Sequence, residues 1–355
     1  MLCLESVTKA IEPLDAEIIV VDNKSEDESC TWVTKFFPNV KLIANTDNLG
    51  FARGNNLGVK QARGNYLCIL NPDTVVPEDC FTNLIHHYET LQRPGALGVQ
   101  LIDGTGDFLK ESKRNIPTPT VALKKLFGNS SKYYNHKLKE NQDGPTDVLV
   151  GAFMFMKTKI YKDVDGFDED YFMYGEDIDF SYKLKKAGYQ NYYFGSCKVM
   201  HFKGESTTKD KVYLKHFFNA MYIFYTKHFK AYKTTFLMVR QLLKLSMLLK
   251  YFRLKSSTKQ VKLSKKGVLV SSDSKLKYLL SKKFGIPISK NQELEETTEN
   301  SLIILDTNFL SYQEVINSLS NNNSNTNKFR IKLKNFNFII GSDSKSDKGE
   351  VILLG

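Results

Sequence analysis

The sequence predicts an α/β protein with a mostly parallel sheet and flanking helices. Apolar strand patterns alternate with amphipathic helix patterns through the first two hundred residues, which is typical of a doubly wound sheet. One segment, Glu17–Val21, has the continuous apolar composition of a buried parallel strand. The polar loop Asp22–Asp27 follows it, and open α/β sheets bind ligands at the carboxyl ends of their strands. We therefore expect the functional site at that edge.

Composition limits the class of protein. The chain has 355 residues, 41% of them hydrophobic and 25% charged, as in ordinary globular proteins large enough for two domains. The five cysteines show no paired spacing, so neither a zinc site nor a disulfide framework is indicated, and a reducing cytoplasmic setting is expected. No uncharged apolar run approaches the roughly 20 residues that span a bilayer, and no signal peptide opens the chain.

The elements of the first half follow from the spacing of apolar residues and from glycine and proline. Leu2, Leu4, Val7 and Ile11 have helical spacing. The next elements alternate in chain order: helix Ser29–Phe37, strand Val40–Ala44, glycine-rich loop Asn48–Asn56, helix Asn56–Ala62 and strand Tyr66–Leu70. Residues 113–146 are polar and lysine-rich and contain three prolines, so we expect a mobile surface excursion that closes over a site.

A second group of elements surrounds an acidic stretch. Strand Val148–Met156 precedes Tyr171–Phe180, which contains the carboxylates Glu176, Asp177 and Asp179 at the start of a helix that ends at Gly188. The helix dipole favours negative charge at that position, so a partly buried carboxylate is expected to stay ionised there. An ionised carboxylate at the mouth of a sheet suits a proton-abstracting base. Ordinary helix capping is the alternative interpretation.

The positive charge is concentrated in one segment. The chain carries a net charge of +11, and the stretch between Asp210 and Asp273 has 14 Lys or Arg and no acidic residue. We predict three parts: a catalytic domain at 1–210, basic amphipathic helices with a linker at 211–266, and a small α/β unit of unknown role at 267–355. The basic helices either pack on the domain with solvated lysines or lie on an anionic membrane surface. Without a nucleic-acid-binding motif, no nucleic acid partner is expected.

Several segments in the same order together resemble family 2 glycosyltransferases of the GT-A fold, in particular the rhamnosyltransferase-like members. They are EIIVVDNKSED, NTDNLGFARGNNLGVKQARGNYLCILNPDT, LVGAFMFMKTKIYKDVDGFDEDYFMYGEDIDFSYKLKKAGY and KVMHFKGES. The resemblance covers the first 205 residues and implies a Rossmann-like GT-A sheet.

The resemblance also implies roles for residues at the strand ends. Asp22, with Asn23, would contact the donor base, and Asp73 would hold a divalent metal, Mg²⁺ or Mn²⁺, on the diphosphate. Asp177 would be the general base supported by Glu176 and Asp179, and His201 would be a metal or diphosphate ligand. The nucleotide pocket would be lined by Asn48, Gly50, Arg53, Asn55 and Asn71. Asn71 departs from the acidic motif of the family and cannot supply a first carboxylate.

The implied activity is inverting transfer of a sugar, such as rhamnose, from a nucleotide-diphosphate sugar. The acceptor would be a glycan or a lipid-linked glycan in surface polysaccharide synthesis. The enzyme would be cytoplasmic and bound peripherally to the inner face of the cell membrane. The alternatives are a catalytically impaired nucleotide-sugar-binding scaffold and a sugar-phosphate nucleotidyltransferase. The latter class expects a glycine-rich signature near its first strand, and none is present.

Members of the family begin with an apolar strand followed by a helix similar to Cys3–Val7. In this sequence Met1 stands directly before that helix. We therefore expect the chain to lack one interior strand of the sheet, beside Glu17–Val21. Such a chain would be poorly soluble and weakly active, because the edge of a buried strand would be exposed.

Overall fold

The structure, a computed structural model, describes residues 1–126, 128–202, 211–229, 264–293, 299–324, 326–343 and 349–354, together with residue 241. It confirms the α/β class. The elements of the N-terminal part alternate as predicted through the first strands and helices: α1 (Leu2–Ile11), β1 (Ile19–Asp22), α2 (Ser29–Phe36), β2 (Lys41–Ala44), α3 (Gly50–Gln61), β3 (Tyr66–Leu70), β4 (Thr74–Val75) and α4 (Cys80–Thr90).

The second half of this part contains the long strands that carry the acidic helix. Its elements are β5 (Pro94–Ile102), the 3-10 turn Lys110–Ser112, α5 (Pro119–Leu126), β6 (Gly144–Pro145), β7 (Phe153–Lys157), α6 (Thr158–Asp163), α7 (Glu176–Lys186) and β8 (Gln190–His201). One predicted bound was wrong: the strand expected from Val148 begins only at Phe153. Where two short strands, Asn191–Phe194 and Lys198–His201, are expected from the sequence, the structure has the single strand β8, whose pairing with β5 shifts register at Val99/Gln100.

The main sheet has the strand order β3-β7-β5-β8-β4. Strands β3, β5 and β8 run in one direction, whereas β7 and β4 run antiparallel to their neighbours. A large apolar cluster that includes Leu97, Phe153, Met154 and Phe180 packs around this sheet. The pairing of β4 with β8 places Thr74 opposite His201, so the chain just before β4 lies beside the end of β8.

The first two strands form a separate parallel pair. Among the described residues, β1 pairs only with β2, and β3 pairs on one side only, with β7. Strands β1 and β3 begin close to one another. The Glu17 carboxylate, just before β1, accepts a hydrogen bond of 2.8 Å from the backbone N–H of Arg63, just before β3. Their facing sides both line one large cavity, together with α1. The expectation of an absent interior strand stays a prediction.

The glycine-rich segment after β2 is a helix, not the predicted loop. Helix α3 begins at Gly50, six residues before the predicted start, and the Asn48 side-chain oxygen accepts the Gly50 N–H at 3.0 Å. Gly54 and Gly58 then allow the helix to lie close to β1: a Cβ at either would lie 3.0 Å from a side chain of Asn23 or Val21. The glycines thus bring α3 against the strand whose end carries Asp22.

Helix α8 (Lys211–His228) confirms the first of the two predicted basic helices. Its aromatic residues, among them Phe218, Phe224 and Tyr225, are buried against Tyr171 and Ala122. For this helix the structure favours packing on the domain over a membrane-facing apolar stripe. The second predicted basic helix, on which Lys233, Arg240 and Lys244 were expected to share a face, lies outside the described residues except for residue 241. Of the predicted linker 255–266, only residues 264–266 are described. Within the described ranges, no helix is both long and apolar enough to cross a bilayer.

The C-terminal part has its own sheet. Its elements are β9 (Lys266–Val270), α9 (Ser274–Phe284), β10 (Ile288–Asn291), β11 (Ser301–Asp306), α10 (Tyr312–Asn321), β12 (Lys328–Lys332), β13 (Phe338–Gly341) and β14 (Glu350–Leu353). The strand order is β10-β9-β11-β12-β13-β14, parallel as far as β12 and antiparallel beyond it. The strand–helix alternation predicted for this part is therefore confirmed.

This C-terminal sheet packs directly on the N-terminal part through an apolar cluster that includes Leu2, Met200, Ile303 and Phe329. Polar contacts surround it. The Glu78 carboxylate accepts the first backbone N–H groups of α10, from Tyr312 at 2.7 Å and Gln313 at 3.0 Å. The Tyr312 hydroxyl donates to Glu5 at 3.0 Å. A carboxylate from one part thus caps a helix of the other, where the helix dipole favours negative charge.

We expect Glu78→Ala to lower the free energy of unfolding by about 1–2 kcal/mol, because two helix N–H groups lose their acceptor. Chemical denaturation measures this difference. The control is Glu12→Ala, which removes an exposed carboxylate paired only with Lys9 and should change stability by less than about 0.5 kcal/mol. Equal losses in the two variants would mean that Glu78 does not hold the two parts together.

Candidate active site

One cavity of about 1790 Å³ extends along β1 and β3, from Glu17 and Asn65 at their amino ends to Asp22 and Asn71 at their carboxyl ends. Its volume exceeds the 300–1,000 Å³ or so of a typical single-ligand site. Most of the residues predicted from the sequence line it: Asp22, Asn23, Asn48, Asn55, Asn71, Asp73, Glu176, Asp177 and His201. Gly50 and Arg53 are not in its wall. Arg53 instead reaches Glu169 at the surface, 3.4 Å away.

The end of β1 is fixed by side-chain hydrogen bonds. Asp22 accepts the backbone N–H and the hydroxyl of Ser25, and the N–H bond measures 2.9 Å. Burial would raise the pKa of Asp22, but these hydrogen bonds together lower it below its usual value. Asn23 donates to the Gly50 carbonyl at 2.9 Å and accepts from Asn45 at 3.0 Å. Asp22 does not cap α2, where Asp27 accepts the Ser29 N–H.

Gly50 joins this wall to the loop that carries the acidic helix. Its φ is +78°, and a Cβ at this position would lie 2.3 Å from the carbonyl oxygen of Phe172. The same carbonyl accepts the Phe51 N–H at 2.8 Å. Only glycine combines this backbone conformation with so close an approach. Gly50 therefore acts through the backbone, by holding residues 171–175 against α3.

Asp73 and His201 form the second polar group of the cavity. Oδ1 of Asp73 lies 3.2 Å from Nε2 of His201, and the two side chains are 8% and 9% exposed. The contact lacks hydrogen-bond geometry: among the described residues, Oδ1 of Asp73 and Nδ1 of His201 have no hydrogen-bond partner. Buried polar atoms normally have one. A carboxylate and an imidazole with unused donor atoms fit a divalent cation.

Those two side chains are few for a metal site made by protein alone. No group of three or more His, Cys, Asp or Glu suited to a metal occurs in the part of the chain that the structure describes. Mg²⁺ is commonly held by one or two carboxylates together with substrate phosphates and water. The arrangement therefore fits a cation that a diphosphate would bring with it.

Asp177 is held in a buried ion pair that the sequence did not reveal. Its Oδ2 accepts from Nη2 of Arg114 at 2.7 Å and from the Gly151 N–H at 3.2 Å, and both charged side chains are largely buried. Arg114 belongs to the segment predicted to be a mobile excursion. That prediction was wrong for this end of the segment, because Arg114 also donates to the Leu149 carbonyl at 2.6 Å. The residues around Arg114 in the sequence are polar, and nothing in their pattern indicates that the Arg114 side chain is buried.

Glu176 differs from Asp177 although the two are adjacent. It is 7% exposed, and its Oε2 has no hydrogen-bond partner within the described residues. Burial, with the charge of Asp177 adding to it, raises the pKa of Glu176 to about 8. The expectation that the helix dipole keeps a carboxylate here ionised was therefore wrong for Glu176: loss of hydration outweighs the dipole.

Asp179 is set apart from the cavity. It is fully buried, accepts from the Tyr171 hydroxyl at 3.2 Å, and has Oδ1 2.6 Å from Nε2 of His228. His228 ends α8, so this contact ties α7 to α8. Lys227 adds ion pairs with Asp168 and with Asp170, the latter at 2.6 Å. Asp179 thus supports the position of the acidic helix.

The far wall of the cavity is apolar and was not anticipated. It consists of residues around α5 and α8: Pro117, Ala122, Tyr213, Phe217, Met221, Phe224 and Tyr225. The alternation of aromatic and apolar residues in α8 indicated an apolar helix face. Such a face fits packing inside the protein and contact with a membrane equally.

We expect Gly50→Ala to destabilise the protein more than Gly285→Ala. Both glycines have positive φ, +78° and +63°, so both substitutions carry the strain of the left-handed conformation, about 1–2 kcal/mol. A Cβ at position 50 would contact other atoms, whereas no atom lies within 4 Å of a Cβ built at Gly285. Thermal melting of the two variants compares them. Equal shifts would show that the approach of Phe172 relaxes without cost.

We expect the stability difference between Glu176→Gln and the unchanged protein to grow with pH. The folded-state pKa of Glu176 is raised from 4.5 to about 8. Its contribution is therefore complete below pH 4.5 and is lost as pH rises through 8, because the unfolded state releases the proton first. The slope cannot exceed about 1.4 kcal/mol per pH unit. Denaturation at several pH values measures it, and parallel curves would contradict the raised pKa.

Residues 2–165 match the model of the glycosyl transferase family 2. The chain is also similar to an N-acetylglucosaminyl-diphospho-decaprenol L-rhamnosyltransferase of Mycobacterium tuberculosis, with 26% identity over 54% of this chain and 68% of the relative. Its identity to the rhamnosyltransferase WbbL of Escherichia coli is 26%, over 55% of this chain and 78% of that protein.

Among solved structures, a mannosyltransferase of Pyrobaculum calidifontis in complex with GDP-Man and Mn²⁺ overlaps 72% of this chain and 71% of its own. The two are 15% identical and the TM-score is 0.45, so the assignment rests on the sequence match instead. The model of the family covers α1 to α6, including both strand ends that carry Asp22 and Asp73. The match to the glycosyl transferase family 2 thus covers the N-terminal part of this chain.

Proposed function

We propose that this protein transfers a sugar from a nucleotide-diphosphate sugar to a hydroxyl of a glycan or lipid-linked glycan, with inversion at the sugar carbon. The observation that carries the proposal is the meeting of two polar groups in one cavity: Asp73 with His201, and Glu176 with Asp177. One group is suited to a cation and its diphosphate, the other to an acceptor proton.

The donor lies in the half of the cavity formed by the ends of β1 and β3. Asp22 and Asn23 bind the base and ribose, while Asn48, Asn55 and Asn71 line the adjoining wall. A deoxythymidine or uridine diphosphate sugar such as rhamnose is the donor we propose, in line with the names of the two relatives.

Asp73 and His201 would hold Mg²⁺ or Mn²⁺ against the diphosphate. When bound, the ion supplies neutralisation of the charge on the leaving diphosphate. The carboxylates at the start of α7 receive the acceptor proton while Arg114 and the Gly151 N–H fix Asp177 in place. Single displacement then needs no covalent intermediate on the protein.

The acceptor would belong to the synthesis of a surface polysaccharide. Contact with the inner face of a membrane remains a prediction from the basic residues between Asp210 and Asp273, most of which lie outside the described residues. The decaprenol in the name of one relative supports a lipid-linked acceptor for this chain.

Release of nucleoside diphosphate from a panel of nucleotide-sugars, with Mg²⁺ or Mn²⁺, tests the proposal. We expect turnover with one donor, its loss in excess chelator, and its return when the metal is added back. Asp73→Asn should weaken nucleoside diphosphate binding by at least about tenfold in Mn²⁺, because a charged ligand of the cation is removed.

The binding of nucleoside diphosphate in chelator should be the same for Asp73→Asn and the unchanged protein, and Glu12→Gln serves as the carboxylate control outside the cavity. Full turnover in chelator would overturn the role of the metal. Tight donor binding without turnover under any condition would favour the scaffold over the transferase.

A further inference from the structure

The strand pair that carries Asp73 and His201 lies at the edge of the main sheet. Strand β4 has two residues, pairs among the described residues only with β8, and places Val75 opposite Met200. One further backbone hydrogen bond of 2.9 Å joins the Phe202 N–H to the Asp73 carbonyl. An edge strand of two residues gains little stability from its own pairing, so its position depends on contacts from outside the sheet.

The two faces of this strand pair have different neighbours. His201 lines the cavity. Its neighbours in the chain, Met200 and Phe202, instead belong to the apolar cluster shared with the C-terminal part, and so does Val75 of β4. Side chains alternate between the two faces of a strand. The C-terminal part therefore covers the face of β4 and β8 opposite to that of His201.

The C-terminal part supplies most of this cluster. Its buried members there come from three parallel strands and from α10, and they include Val270, Ile303, Phe329, Tyr312, Val315 and Leu319. Helix α10 also contacts β8, and its first N–H groups are accepted by Glu78, three residues after β4. Close-packed interiors transmit strain, because they have few voids that could absorb a displacement. This packing thus determines where β4 lies against β8.

We infer that the C-terminal part is a positioning element for Asp73 and His201, whose side chains lie 3.2 Å apart. Within the described ranges, no residue of the C-terminal part lines the cavity, so it acts through β4 and β8. The inference rests on the proposed function, in which this pair holds the cation of the donor diphosphate. A site with only two protein ligands is sensitive to their spacing, because Mg²⁺ requires ligand distances of about 2.0–2.1 Å.

Two neighbouring isoleucines of β11 provide a matched pair of variants. Ile303 and Ile304 are both 0% exposed. Ile303 belongs to the cluster shared with β4 and β8, whereas Ile304 belongs to a separate cluster with α9. Ile303→Ala and Ile304→Ala therefore remove the same atoms from opposite faces of one strand and should destabilise the protein to a similar extent.

The measured quantity is the Kd of uridine diphosphate, or of deoxythymidine diphosphate if that binds more tightly, in Mn²⁺ and in chelator. Ile303→Ala should weaken binding in Mn²⁺ by roughly 3–30-fold, the size of effect that changes in coupled packing produce, and leave binding in chelator unchanged. Ile304→Ala should change neither. Equal Mn²⁺ binding by the two variants would overturn the inference, and so would an equal loss in Mn²⁺ and in chelator for Ile303→Ala.

Thermal melting must show that both variants are folded. If either is not, Ile303→Val and Ile304→Val replace them, since each removes a single methyl group. We expect the same order of Mn²⁺ affinities with a smaller difference, and equal affinities would overturn the inference.

A second measurement uses the reciprocity of coupling between two sites. In the unchanged protein, the nucleoside diphosphate with Mn²⁺ should slow amide exchange in β11 and α10 more than the same nucleotide in chelator does. Equal exchange under the two conditions would contradict the coupling. Nucleotide binding by the unchanged protein that does not depend on Mn²⁺ would instead overturn the role of the cation in the proposed function, and the inference with it.

Discussion

The buried ion pair between Arg114 and Asp177 holds three separate segments around the cavity. Arg114 comes from the polar segment after β5, Asp177 from the start of α7, and the Gly151 N–H and Leu149 carbonyl from the approach to β7. Removing one partner of such a pair typically costs about 3–5 kcal/mol, because the other charge stays buried and unpaired. The pair therefore joins the segment after β5, the approach to β7 and the start of α7.

The two neighbouring carboxylates lie in different surroundings. Arg114 pairs with Asp177, whereas Oε2 of Glu176 has no hydrogen-bond partner among the described residues, and burial favours the neutral form of Glu176. Enzymes commonly separate the roles of two adjacent acids by giving them different surroundings. The arginine that pairs with Asp177 lies more than sixty residues before it in the chain.

The sequence was sufficient to predict the fold class, the start of α7 and the placement of Asp22, Asp73 and His201 at strand ends, because strand period and loop position determine those features. It was not sufficient for Arg114 or for the position of Arg53. Both are arginines in polar surroundings, and only the tertiary path of the chain decides that one is buried and the other pairs with Glu169 at the surface. The start of α3 was missed because a segment rich in glycine and asparagine is as typical of a loop as of the first turns of this helix.

The behaviour of the basic helix also depended on tertiary context. The aromatic residues of α8 pack against Tyr171 and Ala122, and Lys227 and His228 pair with acids near α7. A helix with aromatic residues on one side and lysines on the other can pack on a protein domain or lie on a lipid surface. The spacing of its residues therefore could not distinguish these two interpretations.

The separate pairing of β1 and β2 has a consequence for the kinetics of local opening. A two-stranded ribbon has little stability of its own, and this one has four residue pairs, with α3 packed closely against β1. Proteins open in cooperative units of unequal stability, so the amide protons of β1 and β2 belong to a unit that exchanges with solvent before those of β5 and β8. Asp22 and Asn23 end that unit. A nucleotide bound at Asp22 and Asn23 would therefore slow amide exchange in β1 and β2 far more than in β5 and β8.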